Sequence, residues 1–403
     1  MVKTEQEILH TPDGVRDIYG REFEEKAVVL ERMKKVIGLY GFQGIQVPEF
    51  EFFDVFNRER GSMSSRNMYK LIDRDGSTLV LRPDFTPSVA RFVARSYHEE
   101  TLPIRLCYEG ETFTNCESYQ GHLKEVTQIG AELINDPTAD ADAEMTALTI
   151  ECLLASGLSE FQIEIGHADY FRALAEEAQL SDEEIHTLQK LIEQKNRFGV
   201  EEELAGKNLP AELTEQFCML PEMFGDRGTL AGIKAKTTNA RALSAIRRLE
   251  NVLDLLTAYG FDQYVNVDLG MLSMQDYYTG IIFRAYTYGT GDAVISGGRY
   301  DHLLSAFGKE APSIGFAVTV DRLMSALTRQ KITVPLPGDK TVILYYSHER
   351  RAAIEMGSEI RSRGTTVELI RMSEAHDRQE YLDAAARSGA GKIVILPDGE
   401  ETR

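Results

Sequence analysis

Two long β-type segments joined by a short polar loop constrain the fold of this chain more than any other feature. They read IRLCYEGETF (104–113) and KEVTQIGAELIN (124–135). Segments of this kind are expected to form paired antiparallel strands. Because side chains alternate along a strand, Gln128, Gly130 and Glu132 are predicted to share one face. Polar groups inside an apolar sheet are costly unless they meet a ligand or each other, and a solvated face of an edge strand explains the pattern equally well.

The rest of the first 330 residues contains further elements that fit the same sheet. Periodicity predicts a helix at 18–40, and an Asp-Gly turn predicts a hairpin within 68–83. A helix is expected to begin at Thr86-Pro87, with Thr86 as its cap. The other predicted elements are a strand at 42–50, a helix at about 138–156, and strands at 161–166, 264–272, 276–288 and from 313. Residues 168–256 are helical and charged, and are interpreted as an insertion between two halves of an α+β fold with an antiparallel sheet flanked by helices.

The sequence pattern changes after a proline-bearing linker at 331–338. The segments TVILYY, TTVELIR and KIVIL alternate with two helical segments, ERRAAIEMGSEIRSRG and DRQEYLDAAARSGA. Alternation of strands and helices predicts a small parallel α/β domain at 339–403 that stops after its third strand.

Composition limits the classes of function. The net charge is −20, from 44 Lys and Arg against 64 Asp and Glu, and no basic cluster exceeds pairs such as Arg247-Arg248. A nucleic-acid surface needs local cations, so the charge argues weakly against RNA binding. No apolar run is long enough to span a bilayer, and the N-terminus lacks the apolar centre of a signal peptide. The four cysteines and eight histidines show no metal-ligand spacing, so we expect a cytoplasmic protein with reduced thiols and no metal or other cofactor.

Each candidate site residue has an ordinary structural explanation when it is taken singly. Asp84 and Thr86 in RPDFTP can be helix-capping groups, and GGRYD can be a tight turn. Arg322 can be a surface arginine paired within its helix. Tyr277 and Tyr278 are adjacent in a strand-like run, where neighbouring side chains point to opposite faces. One of the two tyrosines is therefore predicted to line a pocket.

The order of the motifs along the chain is more specific than any one of them. One sequence contains, in this order, TPDGVRDI, VPEFE, LRPDFT, the Q-x-G-x-E strand, DYYTG, SGGRYD and GFAVTVDRL. The series resembles the catalytic fold of histidyl-tRNA synthetases, a class II aminoacyl-tRNA synthetase fold, from about residue 8 to 330. It implies a domain at 1–330, while 339–403 resembles a truncated anticodon-binding domain. Two kinds of protein have this fold: the synthetases themselves, and the synthetase-like regulatory subunit of ATP phosphoribosyltransferase.

Two arginines that the resemblance leads us to expect in an active synthetase are missing. Thr114 stands where the synthetase F-R-x-E pattern has its arginine, and Cys116 stands at its glutamate. Ser273 stands at the arginine ahead of the tyrosine pair, whereas Arg322 matches a third arginine. Loss of one such preorganised group typically costs about 3–4 kcal/mol of transition-state stabilisation. Loss of two is expected to leave essentially no adenylation of histidine.

The amino-acid pocket of the family is better retained. By resemblance, Asp84 and Gln128 match residues that hold the α-amino group of histidine, with Asp84 in place of the synthetase's preferred glutamate. Thr86 matches a supporting contact. Glu132 and the tyrosine pair match the groups that read the imidazole ring. RPDFTP also resembles the regulatory subunit more than the synthetase's usual R-P-E-G-T.

The resemblance therefore implies a non-catalytic subunit that senses free L-histidine. In that family the subunit joins a short catalytic subunit of ATP phosphoribosyltransferase, and together they perform the first step of histidine biosynthesis under histidine feedback inhibition. A homodimer within a larger hetero-oligomer is expected, without tRNA or membrane binding. Two alternatives stay open: an active or divergent histidyl-tRNA synthetase, and a histidine-binding paralogue with another partner.

Overall fold

A computed structural model describes residues 9–57, 64–116, 123–272, 277–336, 340–397 and 400–402 of the 403-residue chain. These residues divide into two units. One is drawn from Met1–Arg16 and Val29–Thr333, and the other from Asp17–Val28 and Val334–Arg403. The predicted histidine-binding residues all belong to the first unit.

The first unit is built around a nine-stranded sheet. Its strands, numbered in chain order, are in spatial order β1 (Gln43–Gly44), β5 (Ile104–Phe113), β6 (Glu125–Ile134), β12 (Ser313–Thr319), β11 (Ile295–Arg299), β10 (Ile281–Thr287), β7 (Phe161–His167), β9 (Val265–Asp268) and β8 (Phe224–Gly225). Neighbours are antiparallel except for β1 with β5 and β7 with β9, which are parallel. The predicted α+β fold with a mostly antiparallel sheet is confirmed.

The two segments that constrain the fold pair along the full length of both strands. β5 runs antiparallel to β6 with the bounds that the sequence predicts to within one residue. On its other side β6 pairs with β12, which places Thr319 opposite Gln128 and Gly315 opposite Glu132. β6 is therefore an interior strand, and the explanation of Gln128 and Glu132 as the solvated face of an edge strand is wrong.

Helices flank this sheet. In the first unit they are α2 (Thr86–Ser96), α3 (Ala139–Ser156), α4 (Ala168–Glu177), α5 (Asp182–Glu193), α6 (Arg197–Leu204), α7 (Ala211–Met219), α8 (Gly228–Lys234), α9 (Ala240–Tyr259) and α10 (Val320–Arg329). The hydroxyl of Thr138 caps α3 by accepting a hydrogen bond from the N–H of Ala141, and Gly157 ends that helix with a φ of +100°. α9 packs against α3 and α4. The segment predicted to be helical, 168–256, is helical apart from its connections and the two-residue β8.

The predicted N-terminal helix is present as α1 (Gly20–Leu39). Its buried side chains are Val29, Met33 and Ile37, which recur at four-residue steps. This spacing lays them along one stripe of the helix.

A separate three-stranded sheet contains the predicted hairpin. Its strands, all antiparallel, are in spatial order β2 (Phe50–Phe52), β4 (Thr78–Leu81) and β3 (Lys70–Ile72). The single strand predicted at 42–50 is wrong, because residues 45–49 interrupt it. Pro48 has no N–H for a strand ladder. The carbonyl oxygens of Val47 and Pro48 instead accept hydrogen bonds from Arg82, at 2.8 and 3.1 Å.

A buried ion cluster joins α3, α9 and β11. The carboxylate of Asp142 is fully buried, and its oxygens lie 2.6 Å from Nε of Arg248 and 2.8 Å from Nε of Arg299. Arg299 also donates to the carbonyl oxygen of Asp136 at 2.9 Å. The interpretation of GGRYD as a tight turn is wrong, because its glycines and arginine lie in β11. The arginine, Arg299, joins this strand to α3 through Asp142.

The C-terminal residues form the predicted parallel α/β unit. Its elements are β13 (Lys340–Tyr345), α11 (Arg350–Ser362), β14 (Val367–Arg371), α12 (Arg378–Arg387), β15 (Ala390–Ile395) and β16 (Glu400–Thr402). β13 lies between β14 and β15 and is parallel to both. Its residues Val342, Ile343 and Leu344 are fully buried, as expected of a parallel strand covered on both faces. The expectation that the unit stops after three strands is wrong, because β16 pairs antiparallel with β15.

Candidate functional site

A cavity of about 860 Å³ lies against strands β6, β11 and β12 of the large sheet. Its lining includes five of the six predicted histidine-binding residues: Asp84, Thr86, Gln128, Tyr277 and Tyr278. Gln128 projects from β6, Asp84 precedes α2, Thr86 begins it, and the tyrosines precede β10. The fold thus brings together residues that are almost 200 positions apart in the sequence.

The sixth residue, Glu132, does not line the cavity in this structure. Its side chain is 1% exposed and packs against two residues that do line it, Thr86 and Tyr300. Oε1 accepts hydrogen bonds from the hydroxyls of Thr86 at 2.8 Å and Tyr108 at 3.3 Å, and Oε2 accepts one from the hydroxyl of Tyr300. Three hydroxyl donors therefore satisfy this carboxyl group without a ligand.

Burial makes Glu132 a weak acid. It raises the pKa of Glu132 to about 8, although the hydrogen bonds from Tyr300 and Thr86 lower it. The neighbouring carboxylate of Asp84 raises the pKa further. At neutral pH the group is therefore mostly protonated, so that it can donate a hydrogen bond as well as accept one.

Gln128 and Asp84 both line the cavity and both carry oxygen acceptors. Oε1 of Gln128 is buried and accepts no hydrogen bond within the part of the chain that the structure describes. Asp84 accepts from the N–H of Thr86 at 3.2 Å and from the hydroxyl of Tyr277 at 3.4 Å. A buried acceptor without a partner costs about 1–3 kcal/mol, so these two residues favour a ligand with N–H donors.

Both tyrosines of the pair line the cavity, and the prediction that one of them does so is corrected. The reason is local: β10 begins only at Ile281, so Tyr277 and Tyr278 precede the strand and do not follow its alternation. Their ring centroids are 4.8 Å apart. Burial raises the pKa of both phenols, which keeps their hydroxyls available as hydrogen-bond donors.

Thr86 is the first residue of α2 and not its cap. The cap position is Phe85, which makes no side-chain capping hydrogen bond, while Pro87 occupies the first turn as predicted. The hydroxyl of Thr86 donates to Glu132 instead. Its role is therefore to hold the buried carboxyl group.

The sequence reasoning does not identify Tyr108 and Tyr300 as site residues. Tyr108 on β5 stands opposite Gly130 on β6, and a Cβ at Gly130 would lie 2.5 Å from the Tyr108 hydroxyl oxygen. The available signal is the glycine of the Q-x-G-x-E strand, since a glycine inside a strand marks a close approach by another group. Tyr300 follows the GGR of SGGRYD, a motif that contributes to the family resemblance and, taken singly, is considered as a tight turn.

Of the positions matched to synthetase arginines, the structure describes two, of which Thr114 carries no cation and Arg322 does. Thr114 and Cys116 both line the cavity. Ser273 lies outside the described residues. Arg322 also lines the cavity, where it donates to a backbone carbonyl oxygen at 3.0 Å and lies 3.3 Å from Oδ2 of Asp292. Its guanidinium is thus already engaged by acceptors of the protein.

Candidate metal sites and membrane-spanning helices are both absent from the described ranges. No group of three or more His, Cys, Asp or Glu side chains in these ranges is placed to hold a metal ion. No helix among these residues is long and apolar enough to cross a membrane. Cys107, Cys116, Cys152 and Cys218 are free thiols.

Known proteins resemble this chain over nearly its whole length. The family model for histidyl-tRNA synthetase matches residues 14–323. The ATP phosphoribosyltransferase regulatory subunit of Acetivibrio thermocellus is 36% identical over 393 residues, which cover 97% of this chain and 93% of that protein. The regulatory subunit of Ruminiclostridium cellulolyticum is 37% identical, with 98% and 93% covered.

Solved structures share the fold. A crystal structure of an ATP phosphoribosyltransferase regulatory subunit/histidyl-tRNA synthetase from Bacillus halodurans superposes with a TM-score of 0.85 at 30% identity, covering 96% of this chain and 98% of that one. A histidyl-tRNA synthetase from a Nostoc species superposes with a TM-score of 0.80 at 21% identity, covering 98% and 96%. The predicted class II synthetase-like fold is confirmed.

Proposed function

Because this chain belongs to the family of ATP phosphoribosyltransferase regulatory subunits, we propose that it binds free L-histidine as an allosteric signal and performs no chemistry on it. In this proposal it joins a short catalytic subunit, and histidine bound in the cavity inhibits the complex. The complex catalyses the first step of histidine biosynthesis, the condensation of ATP with phosphoribosyl pyrophosphate.

The observation that carries the proposal is that Gln128, whose buried Oε1 accepts no hydrogen bond from the described residues, lines the same cavity as Asp84. The α-ammonium group of an amino acid supplies an N–H donor for the amide oxygen and a positive charge for the carboxylate. An ammonium-bearing ligand therefore offsets the cost of the buried acceptor, which is about 1–3 kcal/mol.

We assign the imidazole ring to the part of the cavity beside Tyr277, Tyr278 and Tyr300. The phenols and the protonated carboxyl group of Glu132 offer both donors and acceptors, as two different ring nitrogens require. Since Glu132 already receives three hydroxyl hydrogen bonds, a ring nitrogen that contacts it directly replaces one of those hydroxyls.

A non-catalytic role is supported by Thr114 and Cys116, which face the cavity where the synthetase pattern has charged groups. Without a preorganised cation at the Thr114 position, the negative charge that develops at a reacting α-phosphate is less well stabilised. Ser273 in place of the second arginine adds to this expectation.

We further propose the organisation that the resemblance implies. A synthetase-like domain at 1–330 with a helical insertion at 168–256 is followed by a linker at 331–338 and a truncated anticodon-binding-like domain at 339–403. The protein forms a homodimer within a larger cytoplasmic hetero-oligomer and binds no tRNA. The net charge of −20 supports the last point.

Gln128→Met provides the sharpest test. Because Oε1 of Gln128 is buried and has no partner among the described residues, an apolar side chain of similar size is expected to leave the unfolding free energy unchanged or higher. Histidine binding is expected to weaken by about 1–3 kcal/mol, since the ammonium group loses an acceptor. Calorimetric titration with L-histidine measures the affinity, and denaturant unfolding measures the stability.

Asp84→Asn is the second variant, and Ser325→Ala, which changes another wall of the same cavity, is the matched control with wild-type affinity. Failure of the wild-type protein to bind histidine contradicts the proposal. Wild-type affinity in both Gln128→Met and Asp84→Asn also contradicts it.

The alternative function is that of a histidyl-tRNA synthetase. It requires histidine-dependent exchange of pyrophosphate into ATP at a rate typical of synthetases, or histidylation of tRNA. We expect neither reaction, and detection of either one establishes the alternative.

A further inference from the structure

The helical block, which we define as residues 182–234 with helices α5 to α8, contacts the segment that leads to the tyrosine pair. The N–H of Leu269 donates to the carbonyl oxygen of Met223 at 3.0 Å. Gly270 lies so close to the block that a Cβ there would be 2.3 Å from the carbonyl oxygen of Leu220. β8 of the block also pairs with β9. The chain that leaves β9 toward the tyrosines is therefore packed directly on the block.

Two ion pairs reinforce this contact. Nζ of Lys195, just after α5, lies 2.8 Å from Oδ2 of Asp268 at the end of β9, and the Asp268 side chain is only 5% exposed. Oδ1 of Asp268 accepts a hydrogen bond from the N–H of Gly270 at 2.8 Å. Nη2 of Arg284 on β10 lies 3.5 Å from Oε1 of Glu193 in α5. The two ion pairs join the block to β9 and β10, the strands before and after the tyrosine pair.

Arg284 contacts both the block and Leu272, which precedes the tyrosine pair in the chain. It stands opposite Ser296, which lines the cavity, and paired residues of neighbouring strands share a face. Its Nη2 also lies 3.5 Å from the carbonyl oxygen of Leu272. Burial raises the pKa of the Tyr278 phenol, and the positive charge of Arg284 opposes this shift. The guanidinium therefore acts electrostatically on a cavity phenol while it contacts the block.

The docking of the block on the sheet requires both Lys195 and Arg284, because of the carboxyl groups near them. Three carboxyl groups, of Glu164, Glu193 and Asp268, surround the two cations Lys195 and Arg284. Burial raises the pKa of Glu164 and Glu193, and the two cations oppose that shift. Asp268 is buried and the two glutamates are half-buried, so removing either cation leaves negative charge with less compensation, which is unfavourable. The docking of the block on the sheet therefore depends on Lys195 and Arg284 together.

We propose that Lys195 and Arg284 are positioning residues for the histidine site: they fix the tyrosine pair relative to the helical block, so that histidine binding and the docking of the block on the sheet stabilise each other. This inference rests on the proposed histidine site. Because such coupling is reciprocal, a loosened block weakens histidine binding, and bound histidine protects the block from opening.

Lys195→Met is expected to weaken histidine binding about five- to tenfold, at the low end of coupling between sites, whereas Lys195→Arg keeps the wild-type affinity. Arg197→Met is the matched control: Arg197 is as exposed as Lys195, at 45% against 46%, but its partners Glu201 and Glu222 lie within the block, so its loss leaves the affinity unchanged. Calorimetric titration with L-histidine measures each affinity, and thermal unfolding is followed separately. A purely structural role lowers the unfolding temperature of Lys195→Met without changing its histidine affinity.

Hydrogen exchange on the wild-type protein is the reciprocal measurement and needs no variant. Saturating L-histidine is expected to slow amide exchange in α5 and α6 by about fivefold, the same factor as the coupling, and to leave α11 unchanged. Equal histidine affinity of Lys195→Met and wild type, or unchanged exchange in α5 and α6, overturns this inference and leaves the histidine site standing. Failure of the wild-type protein to bind histidine overturns the proposed function and this inference with it.

Discussion

Gly315 and Glu132 stand opposite each other on β12 and β6, and the missing side chain at Gly315 makes room for the buried carboxyl group. A Cβ at Gly315 would lie 1.6 Å from Oε2 of Glu132. In Gly315→Ala the carboxyl group must move and lose hydroxyl partners, so we expect a loss of about 1–3 kcal/mol in unfolding free energy, as for other overpacked sites, together with weaker histidine binding. Denaturant unfolding and calorimetric titration measure the two effects.

Gly291→Ala is the control for this prediction. Gly291 lines the same cavity, but nothing lies within 4 Å of a Cβ built there. We expect wild-type stability and histidine affinity. The prediction is wrong if Gly315→Ala behaves like Gly291→Ala.

The buried Glu132 also predicts a pH dependence of stability. Its pKa is raised from 4.5 to about 8 in the folded protein, so between these values the folded state keeps a proton that the unfolded chain has lost. The unfolded state therefore binds fewer protons, and the contribution of Glu132 to the unfolding free energy falls as the pH rises through this window. Glu132→Gln cannot ionise, so its stability relative to wild type is expected to increase from about pH 5 to about pH 8. Urea unfolding across this range measures the difference, and a pH-independent difference refutes the prediction.

At the scale of elements, Asp142 joins α3 to α9 and β11 through two arginines. Asp142→Ala removes the carboxylate that Arg248 and Arg299 share, and leaves Arg299, which is only 5% exposed, with Asp301 at 3.2 Å as its carboxylate partner. Breaking a buried pair in this way is expected to lower the unfolding free energy by about 3–5 kcal/mol. Asp254→Ala on α9 is the matched control, because its partner Arg227 is 51% exposed and the pair is a surface one; it should cost about 0–1 kcal/mol. Similar losses in the two variants, measured by denaturant unfolding, would show that the buried cluster is not what holds these elements together.

At the scale of the whole molecule, the proposal concerns a complex. The short catalytic subunit alone is expected to be inactive or weakly active, to gain activity with this chain, and to lose it when histidine is added. Such regulation requires histidine to favour one state of the complex by a differential affinity of about 1–3 kcal/mol. A complex reconstituted with Gln128→Met should be as active as wild type and need more histidine for inhibition.

Ser325→Ala is again the control for this assay, with wild-type inhibition. Equal inhibition of the wild-type and Gln128→Met complexes means that histidine acts at another site. Co-purification from the native cell identifies the partner, and light scattering of the pure protein tests the homodimer. Recovery of a different partner favours the alternative that this chain is a histidine-binding paralogue with another partner.

The sequence by itself determined most of the elements and pointed to five residues that line one cavity. The bounds of β5, β6 and α3 follow from hydrophobic patterns of period 2 and 3.6, because the backbone hydrogen bonds and side-chain directions behind these patterns are local. Local patterns do not predict the structure of a segment where a contact with a residue distant in sequence determines it. Arg82 donates hydrogen bonds to the carbonyl oxygens of residues 47 and 48, where the predicted strand is interrupted.

Only the tertiary structure decided how the site residues meet. Glu132 is enclosed by three hydroxyl groups, those of Thr86, Tyr108 and Tyr300. This arrangement depends on which residues stand opposite each other on β5, β6 and β12. That register is set by contacts between segments far apart in the chain, so no local pattern contains it. The same holds for the burial of Oε1 of Gln128 and for the contacts of the helical block with Leu269 and Gly270. Burial and hydrogen-bond partners are properties of the packed molecule and not of a local stretch of sequence.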